Sequence, residues 1–184
     1  MTRIRVVGSA LLLAVGVALM HAQGAAAASR KDLDRDGTRA LQTLYAQNPA
    51  ARRLGEKARA VLVFPNIVKA GFLFGGQIGE GVLLKGGKPA AYYNSVAVSY
   101  GLQAGVQFFG YALFFMNDQA LAYLDRSDGW EVGVGPSIVV VDSGIAKTLT
   151  SSTLTQDVYA FIFDQKGLMA GIGIQGSKIT RISK

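Results

Sequence analysis

The chain has 184 residues, with 19 basic and 12 acidic side chains, a single histidine (His21) and no cysteine. Without cysteine the protein has no disulfide and cannot carry the lipid anchor of a lipoprotein, so its core must hold it together. His21 lies in a segment that we expect to be removed. A mature chain without histidine or cysteine cannot build Ser-His-Asp or Cys-His nucleophiles, or zinc sites of imidazole or thiolate, which leaves only carboxylate, lysine or tyrosine chemistry. No catalytic residue, metal site or cofactor is predicted.

Residues 1–28 have the composition of a secretory signal peptide. Arg3 and Arg5 form a basic start, residues 6–20 are an apolar run, and the alanines at positions 25–28 suit a signal peptidase. The run is too short to be a convincing membrane-spanning helix. We therefore expect export, which makes the protein periplasmic or secreted and leaves residues 29–184 as a single domain.

A pair of helices is predicted at the start of the mature chain. Residues 33–45 place apolar side chains at helical spacing, and the Asn48-Pro49 pair can end this helix and cap the next one. Residues 30–60 hold eight basic and four acidic side chains, which is most of the positive charge of the mature chain. A basic helical hairpin of this kind either meets anionic lipid head groups or is simply a solvated helix face.

From Val61 the apolar period becomes two, which is typical of strands. The first predicted elements are a short strand at 61–64 stopped by Pro65, a long strand at 68–84 and two strands within 92–116. A short helix capped by Asn117 and closed by Gly129 follows, and then a strand at 130–141 and a mobile Ser/Thr-rich loop at 143–156. The chain ends with a hairpin of 157–163 and 168–176 around residues 165–167, and a last strand at 178–182. The expected fold class is α+β, with a twisted, largely antiparallel sheet or partly closed barrel, an N-terminal helical hairpin and one short helix.

Three of the predicted strand regions, residues 70–81, 95–115 and 168–176, alternate large apolar side chains with glycine or glutamine. Strands with this pattern have one unusually thin face, because successive side chains point to opposite sides of the sheet. Glycine on a strand indicates a surface that other groups approach closely. We expect this face mainly to allow close packing rather than to form a catalytic floor.

Glu80 is the residue on which an enzymatic role would rest. It shares its strand face with Phe74 and Val82, and a carboxylate on an apolar face can act as an acid. The sequence assigns no second carboxylate beside it. An ion pair with Lys85 or Lys69 is the preferred interpretation.

Several tyrosines, among them Tyr92, Tyr93, Tyr100 and Tyr111, lie in predicted strands. Aromatic side chains can stack on nucleic-acid bases, but in alternating strands they belong more often to the core. An exported protein also has little opportunity to meet nucleic acid. No nucleic-acid partner is therefore expected.

Several spaced motifs in the same order resemble the SYLF-domain family. They are Lys57-Ala58-Arg59-Ala60-Val61-Leu62-Val63-Phe64-Pro65, Lys69-Ala70-Gly71-Phe72-Leu73-Phe74-Gly75-Gly76-Gln77, Ser99-Tyr100-Gly101-Leu102-Gln103-Ala104-Gly105-Val106-Gln107 and Lys166-Gly167-Leu168-Met169-Ala170-Gly171. The resemblance covers roughly residues 41–182 and implies a lipid-binding or cytoskeleton-linked module rather than an enzyme. Eukaryotic members bind phosphoinositides and, in fungi, actin, and their lipid contact is linked to a basic, amphipathic N-terminal helix.

The resemblance also implies which residues contact lipid. By position these are Arg30, Lys31, Arg35 and Arg39. The charge count, rather than the family, adds Arg52, Arg53, Lys57 and Arg59. Where the family often has a Gly-Pro-x-Gly-Arg turn, this chain has residues 141–147, so any basic role there rests on Lys147.

The sequence thus predicts a non-enzymatic module of the cell envelope that binds an anionic phospholipid membrane surface. The apolar stripe of its helices would either insert into the membrane or dock on the sheet. An exported bacterial-type protein would meet neither actin nor phosphoinositides, so its own ligand differs from the best-known ligands of the family. The alternative is an envelope protein-interaction or structural module, whose thin glycine face receives a protein partner.

Overall fold

A computed structural model describes residues 28–72, 74–100, 105–126, 128–149, 154–167 and 176–184. Within these residues an eight-stranded sheet curls into a half-barrel, with a pair of N-terminal helices on its outer face and a short helix after its fourth strand. The predicted α+β class, curled sheet, N-terminal helical hairpin and short helix are thus confirmed. The predicted signal peptide lies, except for Ala28, outside the described residues.

The two N-terminal helices follow directly from local capping chemistry. Helix α1 spans Arg30–Gln47, and the Ser29 hydroxyl at its N-cap lies 2.6 Å from the Asp32 carboxylate, which lowers the pKa of Asp32. Asn48 ends α1 and begins helix α2, Pro49–Lys57. Its side-chain oxygen accepts hydrogen bonds from two backbone N–H groups of the first turn of α2 at 3.0 and 3.2 Å. The predicted junction at Asn48-Pro49 is therefore confirmed.

The described strands are β1 (Ala60–Phe72), β2 (Phe74–Lys85), β3 (Lys88–Tyr100), β4 (Gly105–Phe115), β5 (Trp130–Glu131), β6 (Ile138–Val140), β7 (Val158–Gly167) and β8 (Lys178–Ile182). They are arranged in the order β5-β8-β3-β2-β1-β4-β7-β6. Neighbours are antiparallel except for β6 and β7, which are parallel. Helix α3 (Asp118–Ala122) continues into a 3-10 turn (Tyr123–Asp125), and helix α4 (Ser143–Thr148) follows β6.

The curled sheet has a hydrophobic core on each face. On the outer face, side chains of α1 and α2 such as Leu33, Leu44 and Leu54 pack against the strands. On the inner face, aromatic side chains including Tyr111 and Trp130 fill the curl together with α3. Because both faces are covered in this half of the sheet, its strands are buried on both sides.

Two predicted strand boundaries near Pro65 are wrong. Strand β1 runs through Pro65 to Phe72, because a bulge between Phe64 and Ile67 shifts the register and accommodates a residue without an N–H group. Residues 68–84 form not one strand but the hairpin of β1 and β2, in which Phe72 pairs with Phe74. The alternation continues across the hairpin, so the sequence pattern alone does not reveal the turn.

Three predictions in the C-terminal half also need correction. Residues 130–141 form two short strands, β5 and β6, at opposite edges of the sheet. Part of the predicted loop at 143–156 is helix α4, whose N-cap Asp142 accepts two backbone hydrogen bonds of 2.8 Å. Strand β7 continues through the predicted turn at 165–167, and the second arm of that hairpin lies outside the described residues apart from Gly176. The last predicted strand is confirmed as β8.

The thin glycine face of β2 lies on the inner side of the sheet. A Cβ atom at Gly79 would lie 2.5 Å from the Ile67 side chain, and one at Gly81 would lie 2.7 Å from the Phe64 ring. Glycine at these positions therefore allows large side chains of β1 to lie across the neighbouring strand. Close packing is what the sequence predicted for this face.

Candidate functional site

The exposed side of α1 carries three basic residues spaced four apart, which places them one above another along the helix. They are Lys31, Arg35 and Arg39. The Arg35 guanidinium lies 2.9 Å from both Asp32 and Asp36, so its charge is largely offset. Lys31 and Arg39 form no ion pair with any residue that the structure describes.

Helix α2 adds Arg52, Arg53 and Lys57, which line two grooves. Arg53 and Lys57 line a groove of about 360 Å³ together with apolar residues of α2 and the leucines at positions 149 and 154. Arg52 lines a second groove of about 460 Å³ that extends to the turn between β2 and β3. Both grooves combine basic and apolar lining, and Glu56 contributes one acid to each. We call the basic residues of α1 and α2, namely Lys31, Arg35, Arg39, Arg52, Arg53 and Lys57, the cationic helix face.

Arg30 has a different environment from the rest of the predicted lipid-binding residues. Its Nε donates a hydrogen bond of 3.0 Å to the Tyr92 hydroxyl, and its guanidinium lies 5.6 Å from the Tyr92 ring centre. The Tyr92 hydroxyl in turn donates to Asp34 at 2.8 Å, and partial burial together with this bond raises the pKa of Tyr92. Arg30 therefore connects the start of α1 to β3.

Arg59 and Lys147 lie outside the two N-terminal helices. The Arg59 Nε is 3.9 Å from the Asp118 carboxylate, and both side chains are mostly exposed, so this ion pair is weak. Lys147 is exposed in the last turn of α4, whose Ile145 and Ala146 pack on the outer face of the sheet. Lys147 therefore lies on the same side of the sheet as the cationic helix face.

The apolar sides of the two helices are fully used in the core. Leu33 and Leu54 are 2% and 1% exposed, and both pack against the sheet. The sequence left open whether the apolar side of the helices inserts into a membrane or docks on the sheet. In the structure it docks on the sheet. Inserting these side chains into a membrane would require the helices to separate from the domain.

A second exposed surface was not predicted from the sequence. Beyond the start of α1, the outer face of the sheet is not covered by any described helix, and six large apolar side chains are exposed there: Phe74, Ile78, Val96, Val98, Val106 and Phe108. We call this group the outer sheet surface. The alternating pattern identified these residues as one face of each strand. The pattern did not indicate that α1 and α2 leave part of the outer face of the sheet uncovered.

Glu80 lies on the outer face between the outer sheet surface and α1. Lys184 Nζ donates to both of its carboxylate oxygens at 2.9 Å, and the backbone N–H of Ala28 donates to one of them at 3.0 Å. Lys184 also donates to the Ala28 carbonyl oxygen at 2.8 Å. The prediction of an ion pair is confirmed, but the predicted partners, Lys85 and Lys69, are wrong. Glu80 lines neither of the two grooves described above.

The Ysc84 family model, described as "Las17-binding protein actin regulator", matches residues 96–184. The chain is therefore similar to the Ysc84 family over residues 96–184, slightly less than half of its length. The Ysc84 model describes the SYLF domain, so the resemblance that the sequence indicated is confirmed. The general class of the protein is a binding module. No curated protein matches the chain at a significant level.

The Ysc84 match begins at Val96, near the end of β3, and extends through β8. Lys147 lies within the matched segment, whereas Arg59 and the predicted site residues on α1 and α2 precede it. Among the described residues no helix is long and apolar enough to cross a membrane. Within the same residues there is also no cluster of three or more metal-ligating side chains.

Proposed function

We propose that this protein is a non-enzymatic, exported binding module that attaches to anionic phospholipid surfaces through its cationic helix face. The observation that carries the proposal is the set of exposed bases without acidic partners: Lys31, Arg39, Arg52 and Arg53 form no ion pair with a described residue. A basic residue close to an anionic membrane contributes about 1 kcal/mol to binding. Four such residues on the α1 and α2 pair therefore support attachment to a membrane surface even when none of their side chains is inserted into the bilayer.

The residues of the cationic helix face divide into two groups. Lys31, Arg35 and Arg39 extend along about 12 Å of α1, at 1.5 Å per residue, and meet several head groups at once. Arg53 and Lys57 line the groove of about 360 Å³ beside α2, where a guanidinium can hold a phosphate with two parallel hydrogen bonds. Arg35 joins by exchanging its surface ion pairs for a phosphate, which costs little because exposed ion pairs contribute at most about 1 kcal/mol.

A protein partner is the second candidate function. The family description favours it, because it speaks of relatives that bind the protein Las17 and regulate actin. An exported protein would use the same kind of domain on an envelope protein instead. Chemical crosslinking in cells, followed by mass spectrometry of the captured species, distinguishes a protein partner from a lipid surface.

Vesicle co-sedimentation tests the proposal. The exported protein is expected to bind vesicles of phosphatidylcholine with phosphatidylglycerol, and to bind pure phosphatidylcholine vesicles only weakly. The double variant Arg39→Glu/Arg53→Glu removes two favourable charges and adds two unfavourable ones, so its affinity should fall at least about tenfold. Both side chains are exposed, and the substitutions should leave the fold intact.

The matched control is Arg126→Glu/Arg181→Glu. It reverses the same number of exposed arginines, which pair with Asp128 and Asp125 and do not belong to the cationic helix face. The proposal predicts near wild-type binding for this variant. Equal binding of the wild type to neutral and anionic vesicles, or equal losses in the two double variants, would rule the proposal out.

A further inference from the structure

The outer sheet surface is continuous across four strands. In the sheet register Phe108 pairs with Val68, Val68 with Ile78, and Ile78 with Val96. Directly paired residues share a face, so these four side chains form one apolar row. Val98 lies two residues beyond Val96 on the same face.

The apolar side chains of the outer sheet surface are more exposed, and lie closer together, than is usual on a protein surface. Val98 is 69% exposed, Ile78 59% and Phe108 42%. Single exposed apolar residues are common, but a contiguous group of this size marks a surface that binds something. The occupant must cover a broad, nearly unbroken apolar face rather than fill a pocket.

A lysine stands at each end of this apolar row. Phe108 pairs with Lys166 on β7, and Val96 pairs with Lys178 on β8, so the apolar row has a basic residue on either side. Both lysines are exposed. At about 4.8 Å between strands, the two lysine backbones are separated by about 24 Å along the sheet. Beyond Lys178 the row ends at Glu131 on the edge strand β5, with no ion pair between the two.

The acid nearest to the apolar row along β2 is already neutralised. Glu80 lies two residues after Ile78, and the Lys184 ammonium contacts both of its oxygens. An apolar centre with long basic side chains at both ends fits an anionic bilayer, since lysine can place its stem among acyl chains and its ammonium among phosphates. A protein partner would require acidic groups at two separate positions to match the lysines.

We propose that the outer sheet surface enters the head-group and acyl boundary of an anionic phospholipid bilayer, with Lys166 and Lys178 at the phosphates. This inference rests on the proposed function, because it concerns the same membrane, but it concerns a different surface. The cationic helix face supplies charge, and the outer sheet surface supplies the apolar contact that the buried sides of α1 and α2 cannot supply. Arg30, in the first turn of α1, donates a hydrogen bond to Tyr92 on β3, four residues before Val96 on the same face of that strand, so the two surfaces adjoin.

The absence of cysteine allows a direct measurement of insertion. Val98→Cys carries a single thiol, which is labelled with the polarity-sensitive dye NBD in the exported protein. With phosphatidylcholine/phosphatidylglycerol vesicles we expect a blue-shifted, brighter emission that nitroxide-labelled lipids quench. The control Arg126→Cys, on an exposed loop after α3, should show neither change.

A pair of matched valines measures the contribution to affinity. Val98→Asp should weaken binding to the anionic vesicles at least about tenfold, whereas Val134→Asp should not, although Val134 is also exposed, at 57%. Val134 lies between β5 and β6, outside the outer sheet surface. Circular dichroism and thermal unfolding of both variants verify that each is folded.

The outcomes separate the two proposals. If the protein sediments with anionic vesicles while the dye at position 98 stays in water, the inference is overturned and the proposed function stands. If the wild type binds no vesicles, both are overturned. A blue shift that appears without lipid and grows with protein concentration means that a second copy covers this surface, which also overturns the inference.

Discussion

At the scale of single residues, Glu80 on β2 forms an ion pair with Lys184 and accepts a hydrogen bond from the backbone N–H of Ala28, just before α1. The Lys184 and Glu80 side chains are only 10% and 25% exposed, respectively. Replacing Glu80 by glutamine leaves a mostly buried ammonium without its counter-charge. Glu80→Gln should therefore lower the free energy of unfolding by about 1–3 kcal/mol. Urea unfolding measures the change.

Glu131→Gln is the control for this prediction, because Glu131 is exposed and forms no ion pair with a described residue. Its effect should stay below about 0.5 kcal/mol, as for most surface substitutions. The double variant Glu80→Gln/Lys184→Met should regain part of the lost stability, since it removes the unpaired charge as well. A Glu80→Gln variant as stable as the control would show that the contact contributes nothing.

This contact also shows what the sequence could and could not reveal about the site. The alternation of β2 predicted that Glu80 lies on an apolar face and needs a cation, and that was confirmed. Its partner is 104 residues away in sequence, and only the pairing of β3 with β8 brings the end of the chain to this face. The basic residues of α1 and α2 were visible from spacing and charge alone, whereas the pairing of Arg30 with Tyr92 depends on tertiary packing.

At the scale of elements, predictions held where local chemistry decides and were wrong where strand pairing decides. The Asn48-Pro49 junction and the Asn117 cap were predicted because a side chain satisfies backbone groups within three residues. The continuation of β1 through Pro65 depends instead on a bulge against β4, which is a property of two strands. The separation of β5 from β6 likewise depends on which edge of the sheet each strand joins.

Asp157 connects three elements and should make the domain sensitive to acid. Its carboxylate accepts hydrogen bonds of 2.8 Å from the backbone and hydroxyl of Ser137 before β6, and from the side chain of Asn117 before α3. These bonds, that of the Ser137 backbone first, lower the pKa of Asp157. A carboxyl group with a lowered folded-state pKa stabilises the fold above its unfolded-state pKa of about 3.9 and loses that contribution as the pH falls through the folded-state pKa.

The wild type should therefore lose more stability between about pH 5 and pH 3 than Asp157→Asn does. At neutral pH the variant should be the less stable of the two, because its amide replaces an acceptor of three hydrogen bonds. Asp128→Asn is the control, since the Asp128 carboxylate is exposed and its pairing with Arg126 is long, at 3.7 Å. Urea unfolding as a function of pH is the measurement, and parallel curves for wild type and Asp157→Asn would contradict the prediction.

At the scale of the whole molecule, the segment that matches the Ysc84 family is not a structural unit. Residues 96–184 contain only the end of β3 and lack β1 and β2, which lie in the centre of the sheet between β3 and β4. Without them, one edge of β4 and one edge of the remaining end of β3 have no partner, and the two cores lose Leu62, Val63 and Val82.

We expect a fragment of residues 96–184 not to fold, and a fragment of residues 28–184 to fold as one cooperative unit. The long fragment contains every strand and both N-terminal helices that the structure describes, so its central pairings are complete. The short fragment exposes unpaired strand edges, and such edges promote aggregation. Amide dispersion in NMR spectra and a single thermal transition distinguish the two states. A dispersed spectrum of fragment 96–184 would mean that the end of β3 pairs directly with β4, and that the central hairpin of β1 and β2 is an insertion which the domain does not need.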